Sequence, residues 1–137
     1  MAMKLSTQAA TTMLNALAGS LNSGFIRVYS GAEPATANTG LDVPNNLLAE
    51  LTFGNPAFSA PAPSGSDMVI TANPIAQDTG ANADGTALFF RATTSGGVVV
   101  YQGTVGTTGQ QLNLTSTNIV ADGVVSVTAL SIALPLA

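Results

Sequence analysis

The segment between Gly85 and Gly106, GTALFFRATTSGGVVVYQGTVG, constrains the fold of this chain most strongly. Two apolar runs, residues 86–94 and 98–105, flank a Ser-Gly-Gly break at residues 95–97, where glycine can adopt the positive φ angles of a hairpin turn. Both runs have little polarity on either face, unlike the alternating pattern of a half-exposed strand. We therefore expect a β-hairpin covered on one side by a second sheet and on the other by a helix, a long loop or a partner.

Other short strand patterns follow residue 24, each bounded by Gly, Pro, Asn or Ser. Pro74 has no N–H to donate to a ladder, which predicts an edge or a break within its run. In the last run the apolar residues change parity, which predicts a β-bulge near Thr128 and Ala129. With the hairpin, about eight short strands predict an all-β sandwich or barrel. The further runs are residues 25–30, 47–53, 57–59, 68–77, 112–114 and 124–134.

One short amphipathic helix is predicted ahead of the strands, over residues 6–17, because apolar residues recur there at spacings of three and four. Ser6 is placed to cap its start and Gly19 to end it. A helix of this length is marginal alone, so it must pack either as a lid on its own core or as an arm on a neighbouring subunit. We expect a single domain, residues 1–137, comprising an N-terminal helix or arm, 1–22, and a β-sandwich, 23–137.

The composition excludes several classes of function. Only 7% of residues are charged, against about 25% in typical domains, and the three cations, Lys4, Arg27 and Arg91, are scattered. Nucleic-acid binding needs clustered cations, so we expect none. Without histidine or cysteine, a Ser-His-Asp site, a disulfide and a thiolate metal site are all ruled out. We also expect no targeting segment and no membrane span, because no apolar run is long enough.

The same low charge favours a protein that lies against another protein, since charge of both signs normally keeps monomers apart. The seven acidic residues show no catalytic motif, and we expect no enzyme activity. They are Glu33, Asp42, Glu50, Asp67, Asp78, Asp84 and Asp122.

The loop from Asp78 to Gly85 is the best candidate for a bound cation. Asn82, Asp84 and Gly85 fit the third, fifth and sixth places of a calcium loop. The first place would then be Gly80 and the twelfth Arg91, where carboxylates are needed. We therefore favour a polar turn whose side chains bond their own backbone, and assign no metal-binding residue.

Arg27 and Arg91 lie inside predicted strands, at FIRVY and FFRAT. Three interpretations are open for each: the side chain points to solvent, pairs with a carboxylate such as Glu50, or offers its planar fork to a partner.

Four segments follow one another in a recognisable order: FIRVYSGAEPATANTG, LLAELTF, ITANPIAQDTGANADGTALFFRATTSGGVVVYQGTVG and LNLTSTNIVADGVVSVTALSIALP. They contain an early R-x-Y-x-G strand, a glycine-rich turn before an aromatic-Arg strand, and a closing V-x-V-T strand. This pattern, from about Met1 to Pro135, resembles a group of small tailed-bacteriophage proteins that is similar to the jelly-roll cement, or head-decoration, proteins of phage capsids.

The resemblance implies a jelly-roll-like antiparallel β-sandwich that binds the outside of a phage head as a dimer or trimer. The partner would be the major capsid protein, and the location would be the outer surface of the virion after synthesis in the host cytoplasm. No catalytic residue and no cofactor come with the resemblance. We expect the helix and loops 31–46 and 54–67 to contact the capsid, and residues 78–85 to face solvent.

Two other functions stay open at this point. A tail, baseplate or fibre-associated structural protein would have the same low-charge β-sandwich. A carbohydrate-binding module would need exposed aromatic side chains, and the chain has two tyrosines, five phenylalanines and no tryptophan.

Overall fold

The computed structural model of the protein describes residues 3–41 and 45–136. In those residues an all-β fold follows one helix, which confirms the predicted class. The elements are α1 (Thr7–Leu21), β1 (Phe25–Tyr29), β2 (Leu47–Thr52), β3 (Ala62–Ser64), β4 (Asp67–Thr71), β5 (Gly85–Thr86), β6 (Phe89–Thr93), β7 (Val99–Gly106), β8 (Leu112–Leu114), β9 (Asn118–Ile119) and β10 (Val127–Pro135).

Eight of the strands form one sheet in the order β2-β1-β6-β7-β8-β10-β4-β3, and β5 pairs with β9. The sheet folds over on itself, because side chains from both of its halves share one core. Two isolated bridges add to the sheet: Thr52, the last residue of β2, bridges to Ala76, and Phe58 bridges to Ala72. Through the first of them, the edge strand β2 contacts the segment that follows β4. The short strand β8 joins the two halves, so the hydrogen-bonded order is continuous and not divided into the two separate sheets of a jelly roll.

One strand pair departs from the antiparallel arrangement that we expected: β7 and β8 are parallel. Parallel neighbours usually need a connection of about a dozen residues or more, and here only residues 107–111 join them. Two glycines explain the tight path. A Cβ at Gly106 would lie 2.5 Å from Cγ of Gln110, and one at Gly103 would lie 3.0 Å from Cβ of Gln111. The missing side chains let this loop fold back directly over β7.

Most predicted strands are present with shifted ends. The run 68–77 stops at Thr71, before Pro74, as the missing N–H requires. The run 86–94 divides into β5 and β6, and residues 57–59 form only the bridge at Phe58. The pairing of β10 with β8 shifts register between Val127 and Ala129, which confirms the predicted bulge.

The helix α1 is a lid on the protein's own core. Ser6 caps it by accepting a hydrogen bond from the Ala9 N–H (3.1 Å), as predicted. It passes through Gly19 and ends at Leu21, which is four residues beyond the prediction. Leu21 is fully buried, and that burial outweighs the cost of about 1 kcal/mol for glycine within a helix.

The central strand β6 is buried on both faces. Phe90 and Ala92 belong to the core shared by the two halves of the sheet. Phe89, Arg91 and Thr93 alternate with them and therefore point to the opposite, outer face. Part of the loop after β1 covers that face. A long loop was one of the three covers that we expected there, beside a helix and a partner.

Candidate interaction surface

The loop of residues 78–85 begins with an Asx turn at Asp78. Asp78 Oδ1 accepts a hydrogen bond from the Gly80 N–H (2.9 Å), and its Oδ2 accepts one from the Glu50 N–H (3.0 Å). Asp84 Oδ1 accepts from the Ala121 N–H (2.7 Å). The bond to Gly80 is the predicted one to the loop's own backbone, whereas the bonds to Glu50 and Ala121 tie the loop to neighbouring segments.

No group of three or more acidic side chains able to hold a metal occurs in the part of the chain that the structure describes. Asp42 lies outside the described residues. Within loop 78–85 most residues are exposed or half-buried, but Ala81 is buried.

Arg27 forms the ion pair that the sequence offered as its second interpretation. Its Nε donates to Glu50 Oε2 at 2.9 Å, across the register that pairs β1 with β2. Its guanidinium also lies 5.8 Å from the ring centre of Phe25. Both partners of the ion pair are about one-third exposed, so water screens it and its contribution to stability is small.

Arg91 fits none of the three interpretations that the sequence offered. It is only 5% exposed, and in the described residues its hydrogen-bond acceptors are uncharged. Nε donates to Gln102 Oε1 (3.1 Å), while Nη2 donates to the carbonyl oxygens of Thr36 (3.4 Å) and Thr39. The sequence could not show this role, because it depends on which loop folds over the outer face.

Gln102 completes a bracket that holds this loop. It lies beside Arg91 in the register of β6 and β7, and its Nε2 donates to the carbonyl oxygen of Pro34 (2.7 Å). The outer-face bracket, Arg91 and Gln102, therefore fixes residues 34–39 against the protein's own sheet. We expected loop 31–46 to contact the capsid. Its residues 34–39 bind the protein's own sheet instead of projecting from it, whereas Leu41 is exposed.

The two tyrosines have different surroundings. Tyr29 stacks on Phe89 on the outer face, with ring centres 5.2 Å apart. Burial raises the pKa of Tyr29, and the positive charges of Arg27 and Arg91 partly oppose that shift. Burial alone raises the pKa of Tyr101, whose hydroxyl is buried without a hydrogen-bond partner in the described residues.

Large apolar side chains are exposed at both ends of the fold. We call Leu88, Val120 and Val124 the β5–β9 patch, since Leu88 follows β5, Val120 follows β9, and the two strands pair. At the other end, Val98 is 66% exposed beside the β6–β7 turn. Met13 is also exposed, on α1. Burying such side chains against a partner releases water and stabilises association. These two ends are the candidate interaction surface.

Exposed aromatic rings of the kind that stack on sugars are not found in the described part of the chain. Phe53, Phe58, Phe89 and Phe90 are buried, and Phe25 is half-buried beside the Arg27 guanidinium. This distribution disfavours the carbohydrate-binding alternative.

No known protein family matches the chain in a scan against family models, and neither the curated proteins nor the solved structures contain a match. Within residues 3–41 and 45–136, the one helix is too short to cross a membrane.

Proposed function

We propose that this protein is a structural component of a tailed-bacteriophage virion. It binds the major capsid protein on the outside of the head and stabilises the joints between capsomers. The observation that carries the proposal is the combination of a nearly uncharged surface with large apolar side chains exposed at both ends of a well-packed fold. The order of its sequence segments, which resembles that of phage head-decoration proteins, supplies the biological setting.

The mechanism is adhesion by buried area. A standard interface of about 1,600 Å² at roughly 25 cal/mol per Å² gives about 40 kcal/mol before costs. Lost freedom and the ordering of side chains offset most of that gain. Many symmetric copies then act together, and this multivalency locks a shell more firmly than any single contact. A dimer or trimer of the chain would add further contacts to each joint.

The experiment is a reconstitution. Phage heads are prepared from a strain that lacks the gene for this chain, and purified protein is added back. We expect saturable binding at a fixed ratio to the major capsid protein, and a higher temperature of DNA release from the heads. Binding to purified tails but not to heads would favour the tail alternative, and binding to neither would refute the proposal.

A matched pair of variants tests which surface is used. Val120→Asp places a charge in the β5–β9 patch, and Thr107→Asp places one on an exposed polar loop. Both positions are exposed, so both variants should fold normally. We expect the first to lower binding to the heads and the second to leave it unchanged. If the two variants bind equally well, the β5–β9 patch is not part of the interface.

A further inference from the structure

A gap in the sheet separates β7 from β10 below the short strand β8. On β7, pairing with β8 involves only Val105 and Gly106. On β10, pairing with β8 ends at Leu130, and residues 131–135 pair only with β4. The two strands therefore continue past the end of β8 with a side that faces no strand in the described part of the chain. We call this space the β7–β10 gap.

Backbone hydrogen-bonding groups face this gap from both sides. The Val105 N–H donates to the Leu88 carbonyl, and the Ala72 N–H donates to the Leu130 carbonyl. These bonds show which residues of β7 point their backbone groups toward β6, and which residues of β10 point theirs toward β4. Since bonding groups alternate in direction along an antiparallel ladder, those of Gln102 on β7 point away from β6 and into the gap. Those of Ser131 and Ala133 on β10 point away from β4, again into the gap.

The mouth of the gap holds a cavity of about 270 Å³. Its lining includes Tyr101, Gln110, Gln111 and Ser131, and none of the lining side chains is charged. Tyr101 packs edge-on against Phe90, with ring centres 5.5 Å apart, and its buried hydroxyl has no partner among the described residues. This hydroxyl is closed off from the open part of the cavity, which leaves the backbone groups as the polar groups that face it.

We propose that the β7–β10 gap receives an extended, uncharged segment of the shell protein as an added strand. This inference rests on the proposed function, because it names the shell protein as donor. Rows of backbone groups on both sides of the gap are matched best by another backbone, as in recognition by strand addition. The uncharged lining matches an uncharged segment, because a charged one would lose its water without gaining a counter-ion.

The first test is amide hydrogen exchange, read in the peptides that cover residues 99–104 and 131–136. In the free protein, the amides of Gln102, Ser131 and Ala133 should exchange fast, and those of Gly103 and Ile132, bonded within ladders, slowly. On the heads, the three fast amides should become protected. If the protein binds the heads while these amides stay fast, the proposed function stands and the strand-addition proposal fails.

A second measurement shows whether the added strand comes from the shell protein or from a second copy of this chain. Sedimentation of the wild type and of the Ala133→Pro variant compares their oligomeric states. The proline removes an N–H that faces the gap and none that bonds to β4, and the melting temperature checks that its fixed φ is tolerated. We expect the variant to keep the wild-type oligomeric state and melting temperature while its binding to heads falls at least tenfold. A folded variant that becomes monomeric would identify a second copy as the donor and overturn the proposal.

Discussion

Replacing Arg91 with methionine should destabilise the fold far more than the same replacement at Arg27. The two arginines are direct neighbours in the register of β1 and β6, so they form a matched pair. Methionine keeps much of the apolar length of the arginine stem while removing the guanidinium. The comparison therefore isolates what each guanidinium contributes.

The expected magnitudes follow from the contacts. Arg91 donates three hydrogen bonds from a buried position, and bonds to charged groups contribute roughly 1.5–3 kcal/mol each. The carbonyl groups of Thr36 and Thr39 can recover water when the loop lifts, so we expect a net loss of about 3 kcal/mol, well below the sum. The Arg27 ion pair with Glu50 is about one-third exposed, so its loss should cost about 0–1 kcal/mol.

The assay is urea unfolding followed by far-ultraviolet circular dichroism and by tyrosine fluorescence, which no tryptophan obscures. Coincident transitions would justify two-state analysis and linear extrapolation. Arg91→Lys should recover less than half of the lost stability, since an ammonium cannot replace the planar fork. Equal losses for the two methionine variants, or a larger loss at Arg27, would refute the role assigned to the outer-face bracket.

Three further predictions follow from other parts of the fold. Gly24→Ala should cost more than about 2 kcal/mol in urea unfolding, because its Cβ would lie 2.0 Å from the rigid Thr93 carbonyl oxygen. Gly19→Ala, inside α1 with nothing within 4 Å, should instead stabilise by about 0.5–1 kcal/mol, and the opposite sign in either variant would contradict the packing. Stability should be full below the unfolded tyrosine pKa of about 10 and fall as pH rises above it, because burial raises the folded-state pKa of Tyr101. Tyr101→Phe should reduce that fall, and an unchanged slope in urea midpoints from pH 8 to 11 would count against it. Calcium should neither release heat in calorimetry nor change the melting temperature, because Asp78 and Asp84 already accept hydrogen bonds from backbone N–H groups.

The parts of the fold that local sequence determines were predicted correctly. The hairpin of β6 and β7 follows from two apolar runs around Gly97, whose φ of +87° needs glycine. The bulge in β10 follows from a change of parity, because side chains of a strand alternate between faces. The cap of α1 follows from one serine at the right place. Each of these signals lies within a few residues of the feature that it predicts.

The features that were missed depend on contacts between distant segments. The parallel pairing of β7 and β8 needs room above Gly103 and Gly106, and no local pattern indicates that the following loop folds back over them. The role of Arg91 depends on a loop that is 52 residues away in sequence at Thr39. The β7–β10 gap exists because β8 is short, and no local pattern indicates where a strand's partner ends.

We have proposed that this chain acts through apolar area buried against the capsid. Electron cryo-microscopy of phage heads, with and without the chain, is a direct test of that proposal. We expect additional density at the joints between capsomers on the outer surface, with an end that carries Val120 or Val98 against the shell. Heads that are identical with and without the chain, or density confined to the tail, would contradict it.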